Sequence, residues 1–226
     1  GVDAYWSETG GVMKFLVILA TLVITYFWQK DLDRIDDRWF FALRARIERL
    51  VNSVVNRESA RGFPVFLLTF LIPLTTLALV LWLSNDWFFG LVALLIHLFV
   101  LLMAFDRIHP DLLLERYLSL WEAGDREACY GFLEDEMDCT VMPSPDNTGT
   151  LHRTFCRLYV YQKKKKMFVM LFWYLVAGPL GVLFAYICYQ LRDGVLWGKV
   201  TPEADSILSL ILVIEWLPQR LLGATL

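Results

Sequence analysis

The sequence predicts an all-α fold: a polytopic helical membrane protein with a cytoplasmic helical layer. Three observations carry that prediction. Of 226 residues, 57% are hydrophobic and 20% charged, against roughly 45–50% and about 25% in soluble chains. The mean hydropathy is +0.50, an excess that a soluble core of this size would not bury. Long apolar runs alternate with segments dense in arginine and lysine. With 8 prolines, 13 glycines and 4 cysteines, disordered, collagenous and disulfide-scaffold chains are excluded. A net charge of −3 argues against a nucleic-acid partner, which a basic surplus would mark.

A span takes about 20 mainly apolar residues to cross about 30 Å of hydrocarbon. Phe15–Trp28 is the first, short in its charge-free core but closed by Tyr26, Phe27 and Trp28. No small-residue cleavage site follows it, so it reads as an anchor rather than a secretory signal. Met13-Lys14 looks like a natural start, with Gly1–Val12 an extension or a cloning remnant. Phe63–Leu83 is the second span, with Pro73 near its middle, and Trp87–Phe105 the third. Ser84-Asn85-Asp86 between them is a helical hairpin turn, flanked by Trp82 and Trp87 at the depth indoles favour. Met167–Leu191 is the fourth and longest. Ile207–Ile214 begins a fifth apolar run that Glu215, Pro218 and Arg220 interrupt. Residues 207–226 therefore read as a membrane-associated or half-buried helix, and the end at Leu226 as truncated or processed. Residues 13–226 form a single membrane domain in this reading.

Charge sets the orientation. Lys30, Arg34, Arg38, Arg44, Arg46, Arg49, Arg57 and Arg61 follow the first span, and Arg107, Arg116, Arg126, Arg153, Arg157 and Lys163–Lys166 follow the third. Positive loops stay inside, so both segments are placed in the cytoplasm. The N-terminus, the Asp86 turn and Arg192–Asp205 then lie outside. Lys163, Lys164, Lys165 and Lys166 precede the fourth span and suit anionic headgroups, each worth on the order of 1 kcal/mol.

Within the first cytoplasmic segment, Leu32, Ile35, Trp39, Leu43, Ile47, Leu50 and Val54 make one helical stripe. The arginines lie off it, as in a helix resting on the inner leaflet or on its neighbours. The second segment opens at Pro110-Asp111. Gly124-Asp125 ends one helix and caps the next, Arg126–Glu136. A loop follows at Pro143–Gly149, and Leu151–Lys166 returns to the membrane.

Chemistry-bearing motifs are sparse. The sequence has no phosphate-cradling glycine loop, no His-Glu-x-x-His and no Gly-x-Ser-x-Gly, so no catalytic residue, metal or cofactor is assigned. Cys129, Cys139, Cys156 and Cys188 lack metal spacing and read as small buried thiols; His109 and His152 read as solvated. His97 lies mid-span, where an ionisable group either marks function or hydrogen-bonds a neighbouring helix. In the fourth span Ala177, Gly181 and Ala185 offer a small-residue packing face, and Pro179 predicts a kink.

Two segments carry a family resemblance. Leu171-Phe172-Trp173-Tyr174-Leu175-Val176-Ala177-Gly178-Pro179-Leu180-Gly181 resembles the signature helix of the AmpE/CobD-like membrane family. Ile214-Glu215-Trp216-Leu217-Pro218-Gln219-Arg220-Leu221 resembles its acid-Trp-hydrophobic-Pro-x-Arg-Leu element. The CobD/CbiB branch, a membrane transferase making adenosylcobinamide phosphate, has acids that are missing here. Its acidic stretch reads Tyr161-Gln162-Lys163-Lys164-Lys165-Lys166, its acidic pair Ile211-Leu212, and its Thr-Leu-Asp element Leu191-Arg192-Asp193. The chain is thus more similar to the AmpE branch. That resemblance implies a bacterial inner-membrane regulatory or sensory protein linked to β-lactamase induction and cell-wall stress. The alternatives are a remodelled transferase, or a structural subunit bound to another membrane protein. Its partners are expected to be the lipid bilayer and a membrane protein or a second copy.

Glu215 and Arg220 sit on a stretch too polar to face lipid unpaired. Either the chain turns at Pro218 and they pair, or Glu215 takes Arg192, Arg153 or Arg157. With Asp193 these residues make the candidate polar pocket, expected on the cytoplasmic side of the signature helix. The alternative is an interfacial anchor with both side chains in water.

Overall fold

The computed structural model describes residues 2–27, 38–54, 62–84, 90–106, 111–135, 137, 148–196 and 204–224. Among the described residues the fold is all-α: α1 (Val2–Phe27), α2 (Arg38–Val54), α3 (Gly62–Ser84), α4 (Leu91–Asp106), α5 (Asp111–Glu122), α6 (Arg126–Asp135), α7 (Thr148–Leu196) and α8 (Ala204–Ala224). The chain divides into two compact units, Gly1–Asp106 with Val169–Leu226, and Arg107–Phe168. The hairpin turn at Asn85-Asp86, Lys30, Arg34, Arg57, Arg61, Arg107, His109, Cys139 and the loop from Pro143 to Asn147 lie outside the described residues.

In the first unit α1 packs on α4, and α3 on both α2 and α4. Of its helices, α3 and α7 are long and apolar enough to cross a membrane; Gly11–Phe27 of α1 and Leu91–Phe105 of α4 are shorter apolar helices. The four are apolar on most sides, and Phe15, Phe63, Leu79, Trp82, Leu95, Phe99 and Val176 are all exposed. Helix α1 continues back to Val2, through the residues read as an extension. Helix α8 runs unbroken through Glu215 and Pro218.

The buried face of α2 is turned from the expected stripe. Phe40, Arg44, Ile47 and Val51 are buried, whereas Leu50 is 66% exposed and Trp39 38%. Ile47 and Val51 meet Val65 of α3, with Leu43, Leu68 and Ile72 around them. Arg44 fits on this face because Glu48, one turn on, accepts from its Nε at 3.1 Å. The local carboxylate offsets part of the desolvation of the guanidinium.

The second unit is a small helical core. Tyr117, Cys129, Phe132, Leu133, Met137, Leu151 and Phe155 are buried together, with the Tyr117 and Phe155 rings stacked at 3.6 Å. Gly124 adopts φ +73°, which a side chain would oppose. The Gly124 amide donates to Trp121 at 3.1 Å and that of Asp125 to Leu120 at 3.2 Å, the paired bonds of a Schellman stop. Asp125 Oδ1 accepts from the Ala128 amide at 3.0 Å, capping α6 as its position in the sequence suggests.

Candidate functional site

The site grows from a break in α7. Gly178 sits at φ 63°, ψ −149°, a region essentially reserved for glycine. Pro179 follows and has no N–H for the carbonyl one turn back, that of Leu175. The bend is sharp. A Cβ on Gly181 would strike the Trp173 carbonyl oxygen and lie 2.9 Å from the Ala177 Cβ, although a straight helix would hold residues 173 and 181 about 12 Å apart along its axis. Gly181, expected to let a neighbouring helix approach, lets α7 fold against itself instead. Ala177 and Gly181 also face Leu74 and Ala78 of α3 across a shallow apolar groove of about 410 Å³.

The freed carbonyl does not stay empty. Lys14 Nζ of α1 donates to the Leu175 oxygen at 3.0 Å. Beside it, His97 Nδ1 of α4 lies 3.1 Å from the Tyr174 hydroxyl, their rings edge to face at 5.9 Å. Three helices therefore meet through polar groups at the break. A second proline repeats the arrangement: Pro218 leaves the Ile214 carbonyl of α8 without its helical donor, and the Trp173 indole Nε1 donates to it at 3.3 Å. Each bond answers a backbone acceptor that the proline has left without its helical donor.

Further along α7, the Tyr189 hydroxyl donates to Glu215 Oε1 at 3.0 Å. The Arg192 guanidinium lies 4.9 Å from the centre of the Tyr189 ring and donates to Asp193 Oδ1 from Nη2 at 3.0 Å and Nε at 3.2 Å. Glu215, Arg192 and Asp193 are thus gathered around Tyr189, a residue the sequence reading did not name. Arg220 stands apart, exposed, 5.5 Å over the Trp216 ring. Because α8 is continuous through Pro218, the turn that would return Arg220 to Glu215 is not formed. Arg153 and Arg157 belong to the second unit. Of the lysines, Lys163 lies 4.6 Å over the Tyr159 ring and Lys164 is exposed.

A family model described as regulatory signalling modulator protein AmpE matches residues 17–226. The chain belongs to the AmpE family. That match takes in every residue of the site except Lys14, and both segments on which the resemblance rests. No curated protein and no solved structure matches this AmpE-family chain.

One expectation for the cysteines changes. Cys129 and Cys188 are buried, but Cys156 is exposed. His152 is exposed yet flanked by Trp121 at 5.2 Å and Tyr117 at 5.9 Å. Its Nε2 lies 3.8 Å from Cys156 Sγ and its Nδ1 3.5 Å from the Tyr117 hydroxyl. Burial, then the nearby Cys129 and Cys156 thiols, push the Tyr117 phenol up to about 12. Burial and the Asp125 carboxylate likewise raise the Cys129 thiol. The sequence signal for this cluster was His152 and Cys156 one helical turn apart.

Proposed function

We propose that this AmpE-family chain is a multi-pass inner-membrane regulatory protein acting in β-lactamase induction, with the break in α7 as its moving part. Gly11–Phe27, α3, α4 and the apolar part of α7 are its spans, residues 13–226 its single domain, and the arginine- and lysine-rich segments its cytoplasmic side. Lys163–Lys166 then lie among anionic headgroups. The polar group of Glu215, Arg192 and Asp193 anchors the far end of the broken helix, and a membrane protein or a second copy receives the signal.

One observation carries the reading: a lysine from another helix holds the broken turn through one bond to Leu175. A charge-assisted hydrogen bond contributes about 1.5–3 kcal/mol. Coupling energies between regulatory sites are typically about 1–3 kcal/mol, so a signal that competes for this bond has enough leverage to shift the helix between two states. A ligand moves such an equilibrium only through its differential affinity for those states.

The test is inducible β-lactamase expression in cells carrying either the parental chain or Lys14→Met, with membrane levels of the protein matched. The variant should change the induced level several-fold. Equal induction would overturn the role of the latch, and unchanged induction on deleting the gene would overturn the link to β-lactamase.

A further inference from the structure

We infer that Cys156, in the second unit, is a thiol-exchange site for anionic low-molecular-weight disulfides, independent of the break in α7. Three features meet there. Of the cysteines described, Cys129 and Cys188 are buried and Cys156 is open to solvent. His152 brings Nε2 to 3.8 Å from its sulfur while Nδ1 faces the Tyr117 hydroxyl at 3.5 Å. A nucleophile beside a base that is itself oriented by a third group is the general arrangement for activating a weak nucleophile. Arg153 and Arg157 are exposed on the same face of α7, three residues before the cysteine and one after it. Their charge raises the local concentration of an anionic reagent.

The chemistry balances without any further component. In the tautomer that donates Nδ1–H to the Tyr117 oxygen, Nε2 is free to accept. It takes the Cys156 thiol proton, and the thiolate attacks one sulfur of the disulfide. A new S–S bond forms to Cys156 as the old one breaks, and the departing thiolate recovers the proton from His152. Cys156 is oxidised to a mixed disulfide and one reagent sulfur is reduced to a thiol. Trp121 and Tyr117 flank the imidazole, so the reagent approaches from the solvent-exposed side of Cys156.

The experiment treats the full-length protein with oxidised glutathione and follows each cysteine by peptide mass mapping. In parallel it compares alkylation by neutral iodoacetamide and anionic iodoacetate. Cys156 should form the mixed disulfide while Cys129 and Cys188 do not. His152→Gln should slow the reaction by about tenfold or more. Arg153→Gln with Arg157→Gln should slow oxidised glutathione and iodoacetate but leave iodoacetamide unchanged. The reagent-charge comparison on the parental protein stands even if a variant folds poorly. Equal preference for the two alkylating reagents, or a Cys156 rate unaltered by His152→Gln, would overturn the assignment.

Discussion

Replacing Gly181 by alanine drives a methyl group into the Trp173 carbonyl. The obstructing oxygen is backbone, so no rotamer relieves the overlap, and the Ala177 Cβ, 2.9 Å from the new carbon, crowds it further. Overpacking of this kind costs about 1–3 kcal/mol. The better helix propensity of alanine returns up to about 1 kcal/mol. Because the bend in α7 depends on this approach, we place the balance at about 1–2 kcal/mol of destabilisation, or roughly 2–8 °C in melting temperature for a chain of this size. The assay is thermal unfolding of the purified protein in detergent, with Gly131→Ala as its control. A Cβ at Gly131 meets nothing within 4 Å, so that change should raise stability by about 0.5–1 kcal/mol. If Gly181→Ala stabilised the protein as much as Gly131→Ala, the tight fold of α7 on itself would be refuted.

Trp173→Phe keeps an aromatic ring but loses the pyrrole half and its donor to Ile214, the lost bond costing about 1–3 kcal/mol; adding Pro218→Ala restores an amide donor and should recover most of that part. Strictly additive melting temperatures for that pair would show that the indole bond is not what the proline demands. The Tyr117 phenol, at about 12 in the fold against about 10 unfolded, contributes stability that is complete below pH 10 and lost as pH rises through about 12. Near-ultraviolet dichroism should therefore show the second unit loosening over that window in the parental protein, and less steeply in Tyr117→Phe. For topology, a cysteine introduced at Asn85 should react with an impermeant thiol reagent added outside intact cells, while one at Arg61 should not; the reverse pattern would invert the proposed orientation.

Hydropathy and charge made the helical plan legible, because apolar runs and arginine clusters are local properties of the chain. The Gly124-Asp125 stop was legible for the same reason: both glycine and aspartate act on backbone within a few residues. Position around a helix axis was not. The stripe drawn on α2 admitted Leu50 and passed over Phe40, since the buried face was decided by Val65 of α3 and by Glu48 making Arg44 tolerable. Pro179 signalled a kink, but the angle came from Gly178 and from Gly181 lying against a carbonyl. That Tyr189 would gather Glu215, and that Lys14 would serve Leu175, are facts of tertiary packing with no local pattern to announce them.

The Lys14–Leu175 bond joins residues 161 apart in sequence, and this separation has a consequence for biogenesis. At about 5–20 residues per second of synthesis, Lys14 emerges roughly 8–32 s before its acceptor exists. During that interval its ammonium has to be kept hydrated or held by the insertion machinery, so the first helix stays uncommitted until the last ones arrive. Trp173 waits for Ile214 across only 41 residues, about 2–8 s at the same rates. The far partner, already made, can therefore close on Leu175 as soon as that residue emerges, and the near partner follows once Ile214 exists; a chain whose N-terminal helix has been mislaid would expose the defect as an unmet carbonyl, a mark on which membrane quality control has a physical basis to act.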